Sequence, residues 1–203
     1  MAHKDVLIES SDFFRAASNL LWKEGKERLV RLPDVAPTTF EVYIGWLYTD
    51  EVDIADAEAT QDVREDFDLL IACFALGDML QDVHFMNSVV NRFIKQAEDR
   101  GAVPSPCCIA RLCDTVRLDS TLARVCVDYA AFDTQQEPFE KDVDAYPEVF
   151  VMMIAKASVR YGELSRRKKK PVDRKPCFYH EHPKGKGSTK TCSNIKSEQS
   201  EGT

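Results

Sequence analysis

Two segments decide the fold of this chain: HKDVLIESSDFFR at residues 3–15 and FEVYIGWLYT at residues 40–49. In the first, apolar residues recur at rough helical spacing, and the oxygens of Ser10, Ser11 and Asp12 can cap the turn before Phe13. Between the two segments, residues 28–32 are rich in branched side chains and stop at Pro33, which is typical of a short strand.

The second segment predicts a helix with one buried face. Pro37 suits its first turn, where a missing N–H costs nothing. Apolar residues then follow at positions i, i+3, i+4 and i+7, and this set is assigned to the core: Phe40, Tyr43, Ile44 and Leu47. The remaining aromatic residues and the two acidic residues that follow are interpreted as a partner-binding surface: Trp46, Tyr48, Asp50 and Glu51.

The rest of the chain up to about residue 160 reads as further helices. One begins near Asp66 and breaks near Gln81, and the next ends with Gly101 as a plausible cap. Ser105 and Pro106 read as the cap and first turn of a third helix. Two more are predicted, one after Asp119 and Ser120 and one after Pro147.

Taken in order, these segments resemble the BTB/POZ domain. The resemblance rests on a His-Lys-x-x-Leu opening, Ser-x-x-Phe-Phe-Arg, Arg-Leu-Pro-Asp and Phe-x-x-Tyr-x-x-Trp-Leu-Tyr-Thr. The helix pair that meets near Gln81 and Asp82 is similar to the closing helical hairpin of that domain. The Arg-Leu-Pro and Trp-Leu-Tyr-Thr motifs resemble those of fungal members of the family.

The resemblance implies an α+β, mostly α-helical fold in three parts. Residues 1–100 would form a BTB/POZ-like helical core with a small truncated sheet, residues 101–163 a helical extension, and residues 164–203 a basic, flexible, disordered tail. Family members usually begin with two strands, whereas only Met1 and Ala2 precede the His-Lys motif here. We therefore expect the N-terminal strand hairpin to be lacking and the homodimerisation that it supports to be weakened.

Charge is divided unevenly along the chain. Residues 1–159 hold 29 acidic and 15 basic residues, a formal charge of −14, whereas the last 44 residues hold 5 acidic and 12 basic residues, a formal charge of +7. Because phosphate attraction needs a basic surface, nucleic-acid binding by residues 1–163 is disfavoured.

Other features of the sequence indicate an intracellular protein without a membrane segment. The N-terminus has no signal-peptide pattern, and the longest apolar runs are shorter than the roughly 20 residues that cross a bilayer. Seven cysteines, an odd number, argue against a disulfide framework. The sequence does not distinguish the nucleus from the cytoplasm.

The C-terminal tail holds two groups of residues whose patterns predict a function. Four residues follow the spacing C-x2-H-x-H-x9-C and predict a zinc site, the alternative being scattered residues in a disordered tail: Cys177, His180, His182 and Cys192. A basic run is typical either of a nuclear import signal or of a solvated linker: Arg166, Arg167, Lys168, Lys169 and Lys170.

No catalytic set is recognised, and we expect a protein without enzymatic activity. His3 belongs to the His-Lys-x-x-Leu motif that resembles the BTB/POZ domain, and it is interpreted as a structural residue. Asp78 and Asp82, four residues apart, are interpreted as a surface pair and not as an acid/base dyad. The eight glycines are scattered and form no phosphate-binding loop.

The resemblance implies a noncatalytic protein–protein interaction module that mediates homo- or hetero-oligomerisation with itself or another BTB protein. One alternative is a substrate adaptor for a cullin-type ubiquitin ligase, whose scaffold docks in such relatives near the end of the helix at residues 40–49 and in the following loop. The hydrophobic-x-Glu signature expected there is not clear. The second alternative is a nuclear, zinc-containing, nucleic-acid-associated protein that acts through its C-terminal tail.

Overall fold

The computed structural model of the chain describes residues 3–19, 29–54, 63–133, 143–162, 174 and 176–182. This part of the chain is mostly helical. The α-helices are α1 (Lys4–Ser10), α2 (Asp12–Ala17), α3 (Pro37–Thr49), α4 (Val63–Leu80), α5 (Val83–Arg100), α6 (Pro106–Thr115), α7 (Thr121–Asp133) and α8 (Glu148–Gly162). Two short 3₁₀ turns lie at Val143–Ala145 and Pro176–Tyr179.

Local capping chemistry sets the predicted helix ends. The Ser11 hydroxyl oxygen accepts the backbone N–H of Phe14 at 3.3 Å, and Pro37 occupies the first turn of α3. Gly101 ends α5 with a φ of 57°, a left-handed conformation that glycine adopts without strain. Ser105 caps α6 by accepting the N–H of Cys108 at 3.5 Å. These four predicted helix ends are confirmed.

The core lies where α4 and α5 pack against each other. Helix α3 covers α4 on one side, and α6 contacts α4 on another. Helix α7 contacts α5, α6 and α8. Aromatic rings dominate the centre of the core, and those that are fully buried include Tyr43, Phe67, Phe74, Phe85, Phe93 and Phe150.

The small sheet predicted from the sequence is not seen. Leu29 and the three residues after it form irregular backbone, and the described residues contain no strand. Val30 and Leu32 are partly buried against the core, while Leu29 and Arg31 are exposed. The side chains therefore alternate as in a strand, but a strand needs a hydrogen-bonded neighbour, and none is present among the described residues.

The three predicted helices after residue 101 are confirmed as α6, α7 and α8. Their buried residues belong to the same hydrophobic cluster as those of α3, α4 and α5. The division of the chain at residues 100 and 163 stays a prediction. The turn at Pro176–Tyr179, which was assigned to the flexible tail, contacts α5 and α7.

Candidate functional site

A cleft of about 600 Å³ lies between α1 and the end of α3. Helix α1 contributes its last two turns to one wall, and α3 contributes its last turn to the other. The lining consists of Val6, Glu9, Ser10, Trp46, Leu47, Tyr48, Thr49, Asp50 and His84. The cleft is apolar at Val6, Trp46 and Leu47, and its other lining residues are polar, including the two acidic residues Glu9 and Asp50.

Three of the four residues predicted to bind a partner line this cleft. Tyr48 is 50% exposed, and Asp50 is exposed directly after α3 in a left-handed conformation with a φ of 59°. The Asp50 N–H donates to the Trp46 carbonyl at 2.8 Å, which ends the helix. Glu51, the fourth residue, is exposed nearby but does not line the cleft.

Trp46 is a core residue and not an open surface residue, which corrects part of the sequence interpretation. It is only 6% exposed, because its ring stacks on Tyr43 at 5.9 Å and packs against Phe85 at 5.0 Å between centroids. Its indole N–H is buried and has no hydrogen-bond partner among the described residues. Of the four residues assigned to the core, Tyr43 is fully buried, whereas Phe40, Ile44 and Leu47 are partly buried and pack against the core.

Hydrogen bonding between His3 and Tyr48 connects the two walls of the cleft. The backbone N–H of His3 donates to the Tyr48 hydroxyl oxygen at 2.9 Å, and its ring Nδ1 lies 2.9 Å from the same oxygen. The interpretation of His3 as structural is therefore confirmed. Tyr48 keeps an exposed ring while its hydroxyl anchors the start of α1.

Asp82 lies on the buried side of the same region, although the sequence interpretation placed it on the surface. It is 1% exposed and begins α5 by accepting the N–H of Phe85 at 3.0 Å. Its other carboxylate oxygen accepts the hydroxyls of Ser10 and of Tyr43, the latter at 3.0 Å. Burial, and then the charge of Asp82, raise the pKa of Tyr43, so that this hydroxyl stays protonated and donates.

Helices α1, α3 and α5 therefore meet at one carboxylate. The sequence carried a signal for this role, since Asp82 follows a helix break and precedes a new helix, which is the position of an N-cap. Its partners Ser10 and Tyr43 lie 72 and 39 residues away, and only the fold brings them to the same oxygen.

A second candidate site lies where the C-terminal segment docks on α5 and α7. Tyr179 is 1% exposed and donates its hydroxyl to Asp128 at 2.6 Å. The backbone of Glu181 forms a pair of hydrogen bonds with the side-chain amide of Asn87, both at 2.9 Å. The Arg124 guanidinium covers the ring of Phe178 at 4.2 Å and donates to its carbonyl at 3.2 Å.

This segment contains three of the four predicted zinc ligands. The Sγ of Cys177 lies 3.7 Å from the Nε2 of His182. His180 turns toward α5, where its Nε2 lies 2.8 Å from the Oδ1 of Asn91. Burial, followed by the neighbouring His182, lowers the pKa of His180. Cys192 lies outside the described residues, as does the basic run of Arg166, Arg167, Lys168, Lys169 and Lys170.

Within the described residues, no group of three acidic, histidine or cysteine side chains is close enough to hold a metal ion. In the same part of the chain, none of the helices combines the length and apolar character that a bilayer-crossing segment requires.

Comparison with known proteins gives one positive result. The family model of the BTB/POZ domain matches residues 1–83, a range that includes α1 to α4 and every residue of the cleft lining except His84. No curated protein and no solved structure matches the chain. The match shows that the N-terminal part of the chain is similar to BTB/POZ domains, as its motifs predicted.

The comparison supports a protein–protein interaction module, since that is the general role of BTB/POZ domains. The same match indicates that the partner is, in general terms, a protein. The docked segment at residues 176–182 lies outside the matched range, whereas the cleft lies within it except for His84.

Proposed function

We propose that this chain is a noncatalytic interaction module that associates with a second copy of itself or with another BTB/POZ protein through the cleft between α1 and α3. The observation that carries the proposal is that this cleft, within a region similar to BTB/POZ domains, gathers Trp46, Tyr48 and Asp50.

The chemistry of the cleft defines the partner segment. A space of about 600 Å³ holds a few side chains and not a whole domain, so the partner inserts an apolar anchor while the rim makes surface contacts. Glu9 and Asp50 make the rim acidic, which favours basic residues beside that anchor.

Size-exclusion chromatography with light scattering, run on the full chain over a wide concentration range, tests the proposal. We expect the mass to rise with concentration, alone or with a BTB/POZ partner. Tyr48→Ala should weaken this association, whereas Tyr48→Phe should retain it, because only the first removes the exposed ring. Met152→Ala is the matched control, since Met152 is 55% exposed on α8, outside the cleft.

Two outcomes would overturn the proposal. One is a chain that stays monomeric at every concentration and binds no BTB/POZ protein. The other is association that Tyr48→Ala leaves unchanged, because the cleft would then not be the contact surface. Circular dichroism of each variant checks that the helices are retained.

The ubiquitin-ligase adaptor is a second candidate that would use the same end of α3. Val52 and Ile54 are buried, so the chain that follows α3 is held against the core beside the cleft, and a fixed rim favours a docked scaffold. Co-elution with a purified cullin scaffold, abolished by Tyr48→Ala, is the expected result. Separate elution of the two proteins would remove this candidate.

A further inference from the structure

Helices α5 and α7 form a docking surface that recognises the C-terminal segment by specific contacts. This α5–α7 surface is defined by three polar residues, Asn87 on α5 and Arg124 and Asp128 on α7. The Asp128 carboxylate accepts the Tyr179 hydroxyl at 2.6 Å. The Asn87 amide forms two hydrogen bonds with the Glu181 backbone, both at 2.9 Å. The surface therefore recognises a tyrosine side chain together with the backbone two residues later.

Phe178 and Arg174 extend the contact of the segment with α7. The Arg124 guanidinium lies over the Phe178 ring at 4.2 Å and donates to the Phe178 carbonyl at 3.2 Å. The Arg174 guanidinium lies 3.9 Å from the Asp128 carboxylate. Each of these interactions joins a residue of the range 174–182 to α5 or α7. The same segment of a second copy would therefore make the same interactions on this surface.

The length of the chain and its charge both favour contact of the segment with a second copy. Eleven residues separate Gly162, the end of α8, from Arg174. A stretch of this length spans at most about 40 Å, more than the roughly 30 Å diameter of a small domain. Residues 1–159 carry a formal charge of −14 and the last 44 residues one of +7, so the body of one copy attracts the C-terminal part of another.

We propose that residues 174–182 are an exchangeable ligand of the α5–α7 surface, which they occupy in their own chain and, in a dimer, on a second copy. Exchange replaces each interaction by an identical one between copies, so it costs mainly the freedom lost on association. A tether of this length gives the chain's own segment an effective concentration on the order of 1 mM, so exchange between wild-type copies needs high protein concentration. This contact does not use the cleft between α1 and α3 and is independent of the proposed function.

Two complementary variants of the full chain test exchange, and both carry Tyr48→Ala to weaken the cleft contact. The first adds Tyr179→Ala, which damages the segment and leaves the α5–α7 surface intact. The second adds Asn87→Ala and Arg124→Ala, which damage the surface and leave the segment intact; Asn87 is half-buried and Arg124 is exposed, so the core is kept. Light scattering after size-exclusion chromatography should show a 1:1 complex in the mixture and monomers in each variant alone. A segment that stays docked in its own chain needs a Kd below the effective concentration, so the complex is expected to form below about 1 mM.

A fluorescent synthetic peptide of residues 174–182, kept under reducing conditions, gives a second readout by anisotropy. It should bind the Tyr179→Ala chain, whose surface is vacated, at least tenfold more tightly than the wild type, whose surface is filled. The matched control peptide has alanine in place of Tyr179 and should not bind. Circular dichroism checks that every variant keeps its helices. A mixture with the mass of its separate components, or a peptide that binds the wild type and the Tyr179→Ala chain equally, would overturn the proposal.

Discussion

At the scale of single residues, Asp82 contributes most to the arrangement of the candidate cleft. One buried carboxylate caps α5 and accepts hydroxyl groups from α1 and α3. A buried charge of this kind is tolerated only because several donors satisfy it. The position of α1 relative to α3, and thus the shape of the cleft, depends on these hydrogen bonds.

Asp82→Asn is expected to lower the free energy of unfolding by about 1–3 kcal/mol. The amide keeps one acceptor for the Phe85 N–H, but its NH₂ group faces hydroxyls that now donate to the carboxylate. Chemical denaturation followed by circular dichroism measures the effect.

Asp78→Asn is the matched control for that experiment. Asp78 is four residues earlier, and its side chain is 41% exposed beside Arg117 at 3.5 Å. Its loss should cost well below 1 kcal/mol, as for other surface ion pairs. Equal losses for the two variants would contradict the structural role of Asp82.

The cysteines are expected to differ in reactivity according to their surroundings. Cys107 is exposed in the first turn of α6, where a hydrogen bond from Ser105 and then the charge of Arg64 lower its pKa. Burial raises the pKa of Cys73 to about 12, and it also raises that of Cys126. A lower pKa gives more thiolate at a given pH, and the thiolate is the reactive form.

Iodoacetamide labelling of the folded chain should therefore modify Cys107 well before Cys73 and Cys126. Its rate should reach half of its maximum at a lower pH than that of an ordinary thiol. Peptide mass mapping at a series of pH values measures the order and the profile. Early labelling of Cys126 would show that α7 opens readily, against its close packing on α5, α6 and α8.

At the scale of elements, α4 and α5 are tightly packed against each other at Gly77. A Cβ atom there would lie 2.7 Å from the Cγ of Met86 and 3.2 Å from a ring carbon of Phe85. These side chains belong to the buried face of α5, so they have little room to move. The close packing of the two central helices thus depends on a residue without a side chain.

Gly77→Ala should destabilise the fold by about 1–3 kcal/mol, because overpacking forces Met86 and Phe85 to shift. Gly45→Ala is the opposite case within α3. A Cβ at Gly45 would meet no atom within 4 Å, so alanine should stabilise the helix by about 0.5–1 kcal/mol. Thermal melts of the two variants should move in opposite directions, and a rise for Gly77→Ala would disprove the close contact.

The elements also show which parts of the fold the sequence could predict. Helix ends at Ser11, Gly101 and Ser105 depend on residues within a few positions, and their prediction was correct. The strand predicted at residues 28–32 is not formed by the described residues 29–32, because a strand needs a hydrogen-bonded neighbour and branched residues alone do not provide one. Trp46 was assigned to a partner surface because helical spacing does not show that Phe85, 39 residues later, covers its ring.

At the scale of the whole molecule, contacts of long sequence range connect the C-terminal segment to α5 and α7. Asn87 and Glu181 are 94 residues apart and share two hydrogen bonds. Composition alone suggested a disordered tail, because residues 164–203 hold few large apolar side chains. Phe178 and Tyr179 are exceptions within that tail, and two aromatic residues suffice to dock the segment when Asp128, Arg124 and Asn87 meet it.

The charge distribution of the whole chain also favours the docking of the C-terminal segment on α5 and α7. The segment joins a C-terminal part with a formal charge of +7 to a body with a formal charge of −14. Arg174 illustrates this attraction, since its guanidinium lies 3.9 Å from the Asp128 carboxylate and 4.3 Å from the Phe178 ring. Tyr179, which is 1% exposed, adds buried apolar area to this charge pair.

Tyr179→Ala should release this segment from α5 and α7 while the helices stay folded. Removing a fully buried aromatic ring costs about 3 kcal/mol, which corresponds to faster local opening on the order of 100-fold. Hydrogen exchange with mass spectrometry should show this acceleration at the Glu181 N–H, which is bonded to Asn87. Phe178→Ala is the matched control, and because that ring is 38% exposed its effect should be clearly smaller. Equal acceleration by both variants would mean that the stacking of Arg124 and Arg174 on Phe178 matters as much as the burial of Tyr179, whereas no acceleration in either would mean that the amide of Asn87 alone holds the segment in place.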